Sequence, residues 1–582
     1  MMLPLASGFA IAPWFAAIAA VLALLYLRAC KLFFHVMQQS GYDLQRAYFR
    51  VIGRMGLRLT LALTFTGAAA GIVSLFFPWC GLAAGALGCG LCLLCERKAA
   101  GKTPLVCTNR IRRTAALLYA LLFALCWAAG HHAAFLPLFL PVLVWTAFAL
   151  MQPVEAVIRR RFLQRCSQKL NRCKTKVIGV TGSAGKTGVK RILAHMLSKK
   201  YRVLATPKSY NTPLGVARTV NEQLTSDIEY LVVEMGARHR GDILELCRLT
   251  EPVAGIVTSV FEQHMETFGT LECVTDTKFE LPEYLLSGRG FCVLNGDNPA
   301  IRRRLDEMRG LAGEASAGEE PKKSGVTGPE RAADGRTGEG DDRNGPARES
   351  CEPHGGETSR TEEGALCSLY AVGSQTPRPD FRLRSASCDA EGSLLTLEIL
   401  GREYRVRTAL LGRHQWNNIL VAAYTALLLG VEAGQVVEAI SELKAAPHRL
   451  EIVSRGNITV LDDSYNANPE GARCAFECLS LFEGRHVAVT PGLVEEGSRT
   501  AQLNRELGEN AARYCDVAIL VGRNAPYMEE GAVNYQRQTD DRKCRLICVE
   551  NLKEASQTLA ELIRFGDVVL FENDLPDLYE KG

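Results

Sequence analysis

A chain of 582 residues is too long for one hydrophobic core and requires several domains. Its net charge of only +4 excludes the dense basic face that nucleic-acid binding needs, so no nucleic-acid partner is expected. The 20 cysteines, many inside apolar runs as at Cys80, Cys89, Cys92 and Cys95, form no pair of zinc knuckles and read as free thiols of a reducing compartment.

Five apolar stretches, 9–27, 59–77, 79–95, 114–129 and 132–150, fill the first 150 residues. Each is long enough, or nearly so, to cross about 30 Å of hydrocarbon as a helix. No basic stretch precedes the first, so it does not read as a cleaved signal. Loop 28–58 carries Arg28, Lys31, Arg46, Arg50, Arg54 and Arg58, and loop 96–113 carries Arg97, Lys98, Lys102, Arg110, Arg112 and Arg113. The turns Phe77-Pro78 and Gly130-His131-His132 have neither Lys nor Arg. The excess of positive charge on cytoplasmic loops then places both basic loops inside, and the fifth helix exits inward at Met151. The expectation for 1–150 is a region of about five transmembrane helices, with the lipid bilayer as a partner. The protein is then multi-pass in the cell (inner/plasma) membrane and its remaining domains are cytoplasmic. The basic clusters read as simple anchors, and His131 and His132 as a polar turn.

Residues 151–173, with Arg159-Arg160-Arg161, read as a basic linker. Beyond it, short apolar strands at 176–180, 231–233, 255–257 and 290–294 alternate with helical stretches such as 187–197, which predicts an α/β domain with a mostly parallel sheet. Residues 311–365 are rich in Gly, Glu, Arg, Pro, Ser and Asp and almost free of large apolar side chains; such a segment cannot offset its ordering entropy and is expected to be a disordered insert. Strand pattern returns at 381–383 and 394–397, followed by a helix over 416–429. From about 447, strands at 458–462, 486–490, 517–521 and 567–571 predict a second, smaller α/β domain.

The strongest motif is Thr181-Gly182-Ser183-Ala184-Gly185-Lys186-Thr187, set between a strand and a helix. Backbone N–H groups of Gly182, Ser183, Ala184 and Gly185 can wrap phosphate oxygens, Lys186 supplies a point charge to the terminal phosphates, and the Thr187 hydroxyl suits Mg²⁺. The general phosphate-loop pattern has Gly where this chain has Val180. Glu234 ends the strand Leu231-Val232-Val233, where a carboxylate on a neighbouring parallel strand can face the loop.

This seven-residue form resembles the Mur ligase family, and further motifs agree with it. Val232 to Ala237 resembles the family's acidic strand end, which implies that Glu234 binds Mg²⁺. His264-Met265-Glu266-Thr267-Phe268-Gly269 is similar to its His-x-Glu-x-Phe-Gly segment, implying His264 on a second Mg²⁺. Lys278-Phe279-Glu280 resembles the segment whose lysine is carbamylated, so Lys278 is an implied metal-side group in that form. Asn295 takes the place of the residue that approaches adenine. Gly412 to Asn418 is similar to Gly-x-His-Asn-x-x-Asn, with Gln415 departing from it, and implies that His414 and Asn418 belong to the nucleotide site. Ser209 to Pro213 resembles the acceptor loop, implying Asn211 and Thr212 as substrate residues.

In the C-terminal part, His448-Arg449-Leu450-Glu451 resembles the family's hinge. Asp462 to Pro469 is similar to the signature of its D-alanyl-D-alanine-adding branch. The resemblance implies Arg449 on the ATP phosphates, Asp463 on the ribose, and Tyr465 and Asn466 on substrate. Two strand ends depart from that branch: 490–497 lacks its Met and Leu, and a Lys-Gly-Ser-Arg segment is replaced by the acidic run beginning Glu572-Asn573-Asp574. The family's UDP-sugar-binding first domain has no counterpart in 1–173.

The fold class expected is an α-helical membrane region followed by α/β: a P-loop central domain over 174–446 and a smaller Rossmann-like domain over 447–582. The activity implied is an ATP-dependent amide-bond ligase acting through an acyl phosphate. Lys186, Glu234, His264, Lys278 and Arg449 are its catalytic group, and ATP and Mg²⁺ are required. A peptidoglycan precursor is the implied acceptor and D-alanyl-D-alanine the implied amine. A lipid-linked or polyglutamate acceptor remains an alternative, as does a membrane nucleotide-binding protein that does not ligate.

Overall fold

The computed structural model describes residues 13–39, 42, 57–96, 105–263, 265–288, 290–317, 369–454, 456–465, 468–494, 499–539 and 544–573. The chain forms two compact units, Met1–Phe162 and Leu163–Gly582.

The first unit is helical. The described residues of the five apolar stretches are almost all helical, in Pro13–Ala29, Leu57–Phe76, Pro78–Glu96, Asn109–Ala129, the short 3-10 helix Gly130–Phe135 and the long helix Leu136–Cys173. An additional helix, Lys31–Gln39, follows the first. Among the described residues, Asn109–Ala129 and His132–Cys173 are long and apolar enough to cross a bilayer; Ala16–Ala29 and Leu61–Phe76 are shorter apolar helices. Phe65, Phe76, Phe77, Trp79 and Leu87 stand exposed on this unit. The segment 151–173, read as a basic linker, is helical, the last part of Leu136–Cys173. Its run of Arg, Gln, Leu and Lys has high helix propensity, and Pro153 does not interrupt it.

Among its described residues the second unit contains three sheets. Strands β1 (Lys176–Thr181), β2 (Val203–Ala205), β3 (Tyr230–Glu234), β4 (Ala254–Val257), β5 (Phe291–Asn295) and β6 (Leu369–Val372) form one sheet in the order β2-β3-β1-β4-β5-β6. Every pairing in it is parallel. β1 and β3 are buried almost throughout, the pattern of a central strand covered on both faces. Strand addition reverses direction beside β1, so loops after β1, β3 and β4 converge at one sheet edge, the usual ligand position of an open parallel sheet. The helix Lys186–Ser198 packs Val189, Ile192, Leu193 and Met196 onto this sheet, and Arg413–Leu428 packs Ile419, Leu420 and Ala423 into the same core.

An antiparallel sheet of β7 (Phe381–Asp389), β8 (Gly392–Ile399) and β9 (Arg402–Thr408) follows. The helix Pro299–Ala317 runs into the start of the expected insert, so 311–317 belongs to that helix; the remainder, 318–365, lies outside the described residues. The third sheet, β10 (Glu451–Ser454), β11 (Thr459–Asp463), β12 (His486–Thr490), β13 (Val517–Val521), β14 (Arg545–Val549) and β15 (Val568–Glu572), has the order β10-β11-β15-β12-β13-β14. It is parallel except for β10, which pairs antiparallel with β11.

On this last sheet the helices Thr500–Tyr514 and Ala525–Gln538 meet through glycine. A Cβ on Gly508 would stand 1.9 Å from the Met528 carbonyl oxygen, and one on Gly531 would stand 2.0 Å from that of Arg505. Backbone cannot yield as a side chain end can, so Gly508→Ala should destabilise the protein by about 1–3 kcal/mol through overpacking. Urea unfolding of the variant tests this; an unchanged midpoint would show that the helix pair is looser than described.

Candidate active site

The glycine motif turns directly from β1 into the helix Lys186–Ser198. Gly182 has φ +145° and Gly185 φ +79°, and a Cβ at these positions would press on Thr258 Oγ1 and Asn418 Oδ1 at 2.1 and 2.7 Å. Glycine is needed at both places for conformation and for space. The loop is braced from β4: Ser183 N–H donates to the Ser259 carbonyl at 2.7 Å, Ala184 N–H to Ser259 Oγ at 2.9 Å, and Thr258 Oγ donates to the Ala184 carbonyl. The Lys186 ammonium folds over the loop, donating to the Gly182 and Ser183 carbonyls at 2.6 and 2.9 Å. Burial draws its pKa down to about 8, against the attraction of Glu234, and Arg449 adds to the depression.

Glu234 is the centre of the site. The β1–β3 register sets it beside Val180, at the strand tips facing the glycine loop. It is 2% exposed. Its Oε2 accepts from Thr187 Oγ1 and from Lys190 Nζ, each at 2.9 Å, and its Oε1 accepts from Asn211 Nδ2 at 3.4 Å. Its backbone N–H donates to Thr206 Oγ1. Lys190 was not singled out in the sequence, where a lysine three residues after Thr187 looks like an ordinary helix residue. Spacing of i and i+3 on one helix face was the available signal.

Asn211 also accepts the Gly236 N–H through its carbonyl, and its side chain occupies the space a Cβ on Gly236 would need. Thr212 caps the helix Pro213–Gln223, its hydroxyl accepting from Gly215 N–H. That bond gives Thr212 a structural task. Lys278 lies in the helix Leu271–Ser287, is 3% exposed, and stands 5.9 Å from the Phe268 ring centroid. Burial, then Lys186, draw its pKa down to about 7, which leaves a large fraction as free amine at neutral pH. His264 and Asn466 lie outside the described residues.

A cavity of about 860 Å³ opens between the glycine loop and the last sheet, a size suited to a nucleotide-scale ligand. Ala184, Gly185, Asn295, His414, Asn418, Arg449 and Asp463 line it, bringing together seven of the residues assigned to nucleotide binding. The Asn295 amide donates to the Thr258 carbonyl, and the Asn418 amide donates to Gln415 Oε1. Gln415, the departure noted in the sequence, therefore fixes the orientation of Asn418. Arg449 lies between His448 and Leu450, which have φ +59° and +50°, and its guanidinium sits 4.4 Å from the Tyr465 ring centroid. Among the described residues, polar side-chain pairs that cross the cleft include Tyr465 OH with Ser209 Oγ at 2.6 Å and Arg499 with Glu262.

The acidic departure at β15 meets the same site. Register pairs Asp463 with Glu572. Burial and the facing Asp463 carboxyl push Glu572 well above the usual carboxylate range, and burial lifts Asp463 to about 6. Asp463 is held by the Leu450 N–H at 2.9 Å, tying it to the Arg449 segment.

A glycine loop between a parallel strand and a helix, an acidic neighbouring strand tip and an adjoining second α/β sheet define a P-loop nucleotide-binding protein of two α/β parts. Residues 180–324 match the Mur ligase middle domain, and 448–572 match the Mur ligase, glutamate ligase domain. The UDP-N-acetylmuramoyl-tripeptide–D-alanyl-D-alanine ligase of Mycobacterium tuberculosis is 31% identical over 419 residues, covering 68% of this chain and 69% of the relative. Solved structures with the same fold include MurF from Acinetobacter baumannii (TM-score 0.55, 22% identity, 72% of this chain and 77% of that one). Another is MurF ligase from Thermotoga maritima in complex with ADP (TM-score 0.53, 22% identity, 72% and 80%). The chain belongs to the Mur ligase family and is an ATP-dependent ligase.

Burial holds His414 neutral, with its pKa drawn down to about 4 from an ordinary value near 6.5. A depressed folded pKa gives stability that is complete above the unfolded value and is lost as pH falls through the folded one. The protein should therefore lose stability between pH 6.5 and 4, and His414→Gln should flatten that loss in urea titrations. Identical pH slopes for both proteins would contradict a buried neutral imidazole.

Proposed function

We propose that the chain joins D-alanyl-D-alanine to the carboxylate of a peptidoglycan precursor, through an acyl phosphate made from ATP. The observation that carries this reading is the Thr187–Glu234–Lys186 cluster next to the glycine loop, whose Ala184 and Gly185 line a cavity shared with Arg449 and Asp463. The substrates follow from the activity that the relatives' names carry, and from the Asp462–Pro469 segment.

The reaction has two steps. An acceptor carboxylate oxygen attacks the γ-phosphorus of ATP, and ADP leaves. The amine of the dipeptide then attacks the acyl carbonyl, loses a proton, and inorganic phosphate departs from the tetrahedral adduct. Lys186 offsets the negative charge gathered on the transferring group, and the backbone of 182–185 orients the phosphates. Arg449 and Asp463 come from the C-terminal part, so nucleotide binding draws the two parts together and excludes water from the acyl phosphate. Asn211, Tyr465 and Asn466 are assigned to the acceptor side.

Mg²⁺ fits the oxygen donors at the strand tip, since the Thr187 hydroxyl and the Glu234 carboxylate already meet at 2.9 Å beside the glycine loop. Thr187, Glu234, His264 and Lys278, once carbamylated, would hold it, and it would supply charge neutralisation for phosphoryl transfer. The low pKa and burial of Lys278 support carbamylation, which needs a free amine. Residues 174–446 and 447–582 act as the two ligase domains. The N-terminal helices serve as a multi-pass anchor in the cell membrane, with the ligase cytoplasmic; the exposed aromatic side chains of that unit support a lipid-facing surface.

Purified protein given ATP, Mg²⁺, D-alanyl-D-alanine and a muramoyl-tripeptide acceptor should release ADP only when dipeptide and acceptor are both present. Lys186→Met should lower kcat by about a hundredfold or more. ADP release indifferent to dipeptide would remove the proposed amine.

A further inference from the structure

We propose that Lys190 is a positioning residue that locks the Glu234 carboxylate and the 207–212 loop into one arrangement, so that the nucleotide side and the acceptor side of the site order together. This rests on the reading of Glu234 as the metal-side carboxylate and of 209–213 as the acceptor loop. Lys190 lies one helical turn beyond Thr187, and its side chain is 3% exposed. Its Nζ donates to Glu234 Oε2 at 2.9 Å and to the Lys208 carbonyl at 2.6 Å. One ammonium thus joins the helix of the glycine loop, the tip of β3 and the loop after β2.

The Lys208 end is not a relaxed turn. Lys208 adopts φ +47°, an uncommon conformation for a residue with a side chain, and Lys190 is the partner that its carbonyl meets. Farther along the same loop, Ser209 Oγ bonds the Tyr465 hydroxyl and Asn211 bonds Glu234. A shift of the Glu234 carboxylate is therefore passed to Lys208 through Lys190 and to Asn211 directly. Lysine serves here because its three donors radiate from one nitrogen onto the carboxylate and the carbonyl, whereas the wider, planar guanidinium of arginine must divide the two bonds between separate nitrogens and shift one partner.

The test uses the full chain. In wild type, adding ADP with Mg²⁺ should slow hydrogen exchange at 207–212. Lys190→Arg keeps the charge that Glu234 needs and should fold. In it, the same amides should exchange about tenfold faster without ligand, and the Mg²⁺ half-saturation for thermal stabilisation by ADP should rise about tenfold. In turnover, acceptor KM should rise more than kcat falls. A purely structural lysine would change melting temperature alone. Unchanged exchange at 207–212 in wild type on adding ADP and Mg²⁺, or a folded Lys190→Arg with wild-type exchange and Mg²⁺ dependence, would overturn the proposal. Exchange is read without turnover, so a failure of the ligase reading would appear separately, as absence of ligation by wild type.

Discussion

Everything in the ligase unit is arranged around one buried carboxylate. Glu234 cannot be withdrawn from water at the tip of a parallel strand unless its lone pairs are met, because an unmet buried charge costs several kcal/mol. Thr187 and Lys190 on the helix side and Asn211 on the loop side meet them. Those same partners position the helix after the glycine loop, the strand tip and the 207–212 loop against one another. The demand that a buried charge be satisfied thus assembles a catalytic geometry, and it explains why so many polar side chains gather where the sheet ends.

The second constraint comes from the proposed reaction, in which the C-terminal part approaches the nucleotide and leaves again. Arg449 and Asp463 reach the cavity from a segment with left-handed residues on both sides of Arg449, held by the bond from Leu450 N–H to Asp463. Between the two parts, Leu411 and Cys388 pack against the C-terminal core, and among the described residues polar side-chain pairs join Tyr465 to Ser209 and Arg499 to Glu262. Polar, partly exposed contacts of this sort are individually weak, which suits a joint that opens and closes. The buried Asp463–Glu572 pair lies beneath that joint, where the chain departs from the basic segment of the D-alanyl-D-alanine-adding branch.

Much of this was legible in the sequence, for definite reasons. Buried parallel strands read as continuous apolar runs, so β1, β3, β4, β12 and β13 were found within a residue or two. The glycine loop was visible because steric demand restricts Gly182 and Gly185. The short edge strand β2 and the strands β9, β10 and β14 carried no comparable pattern, since edge strands and strands with one open face mix polar and apolar residues. The basic composition of 151–173 did not display its helical conformation, which helix propensity decides. Lys190 was passed over because its meaning depends on Glu234 and Lys208, which only the fold brings to it.

The account stands on phosphorylation of an acceptor carboxylate at this carboxylate-centred loop. The most direct measurement is to supply an acceptor whose terminal carboxylate carries heavy oxygen and to follow the label through one round of ligation. Transfer of a carboxylate oxygen to the released inorganic phosphate, in step with amide formation, is the expected result. Amide product formed with phosphate free of label would contradict the acyl phosphate and the role given to the whole site.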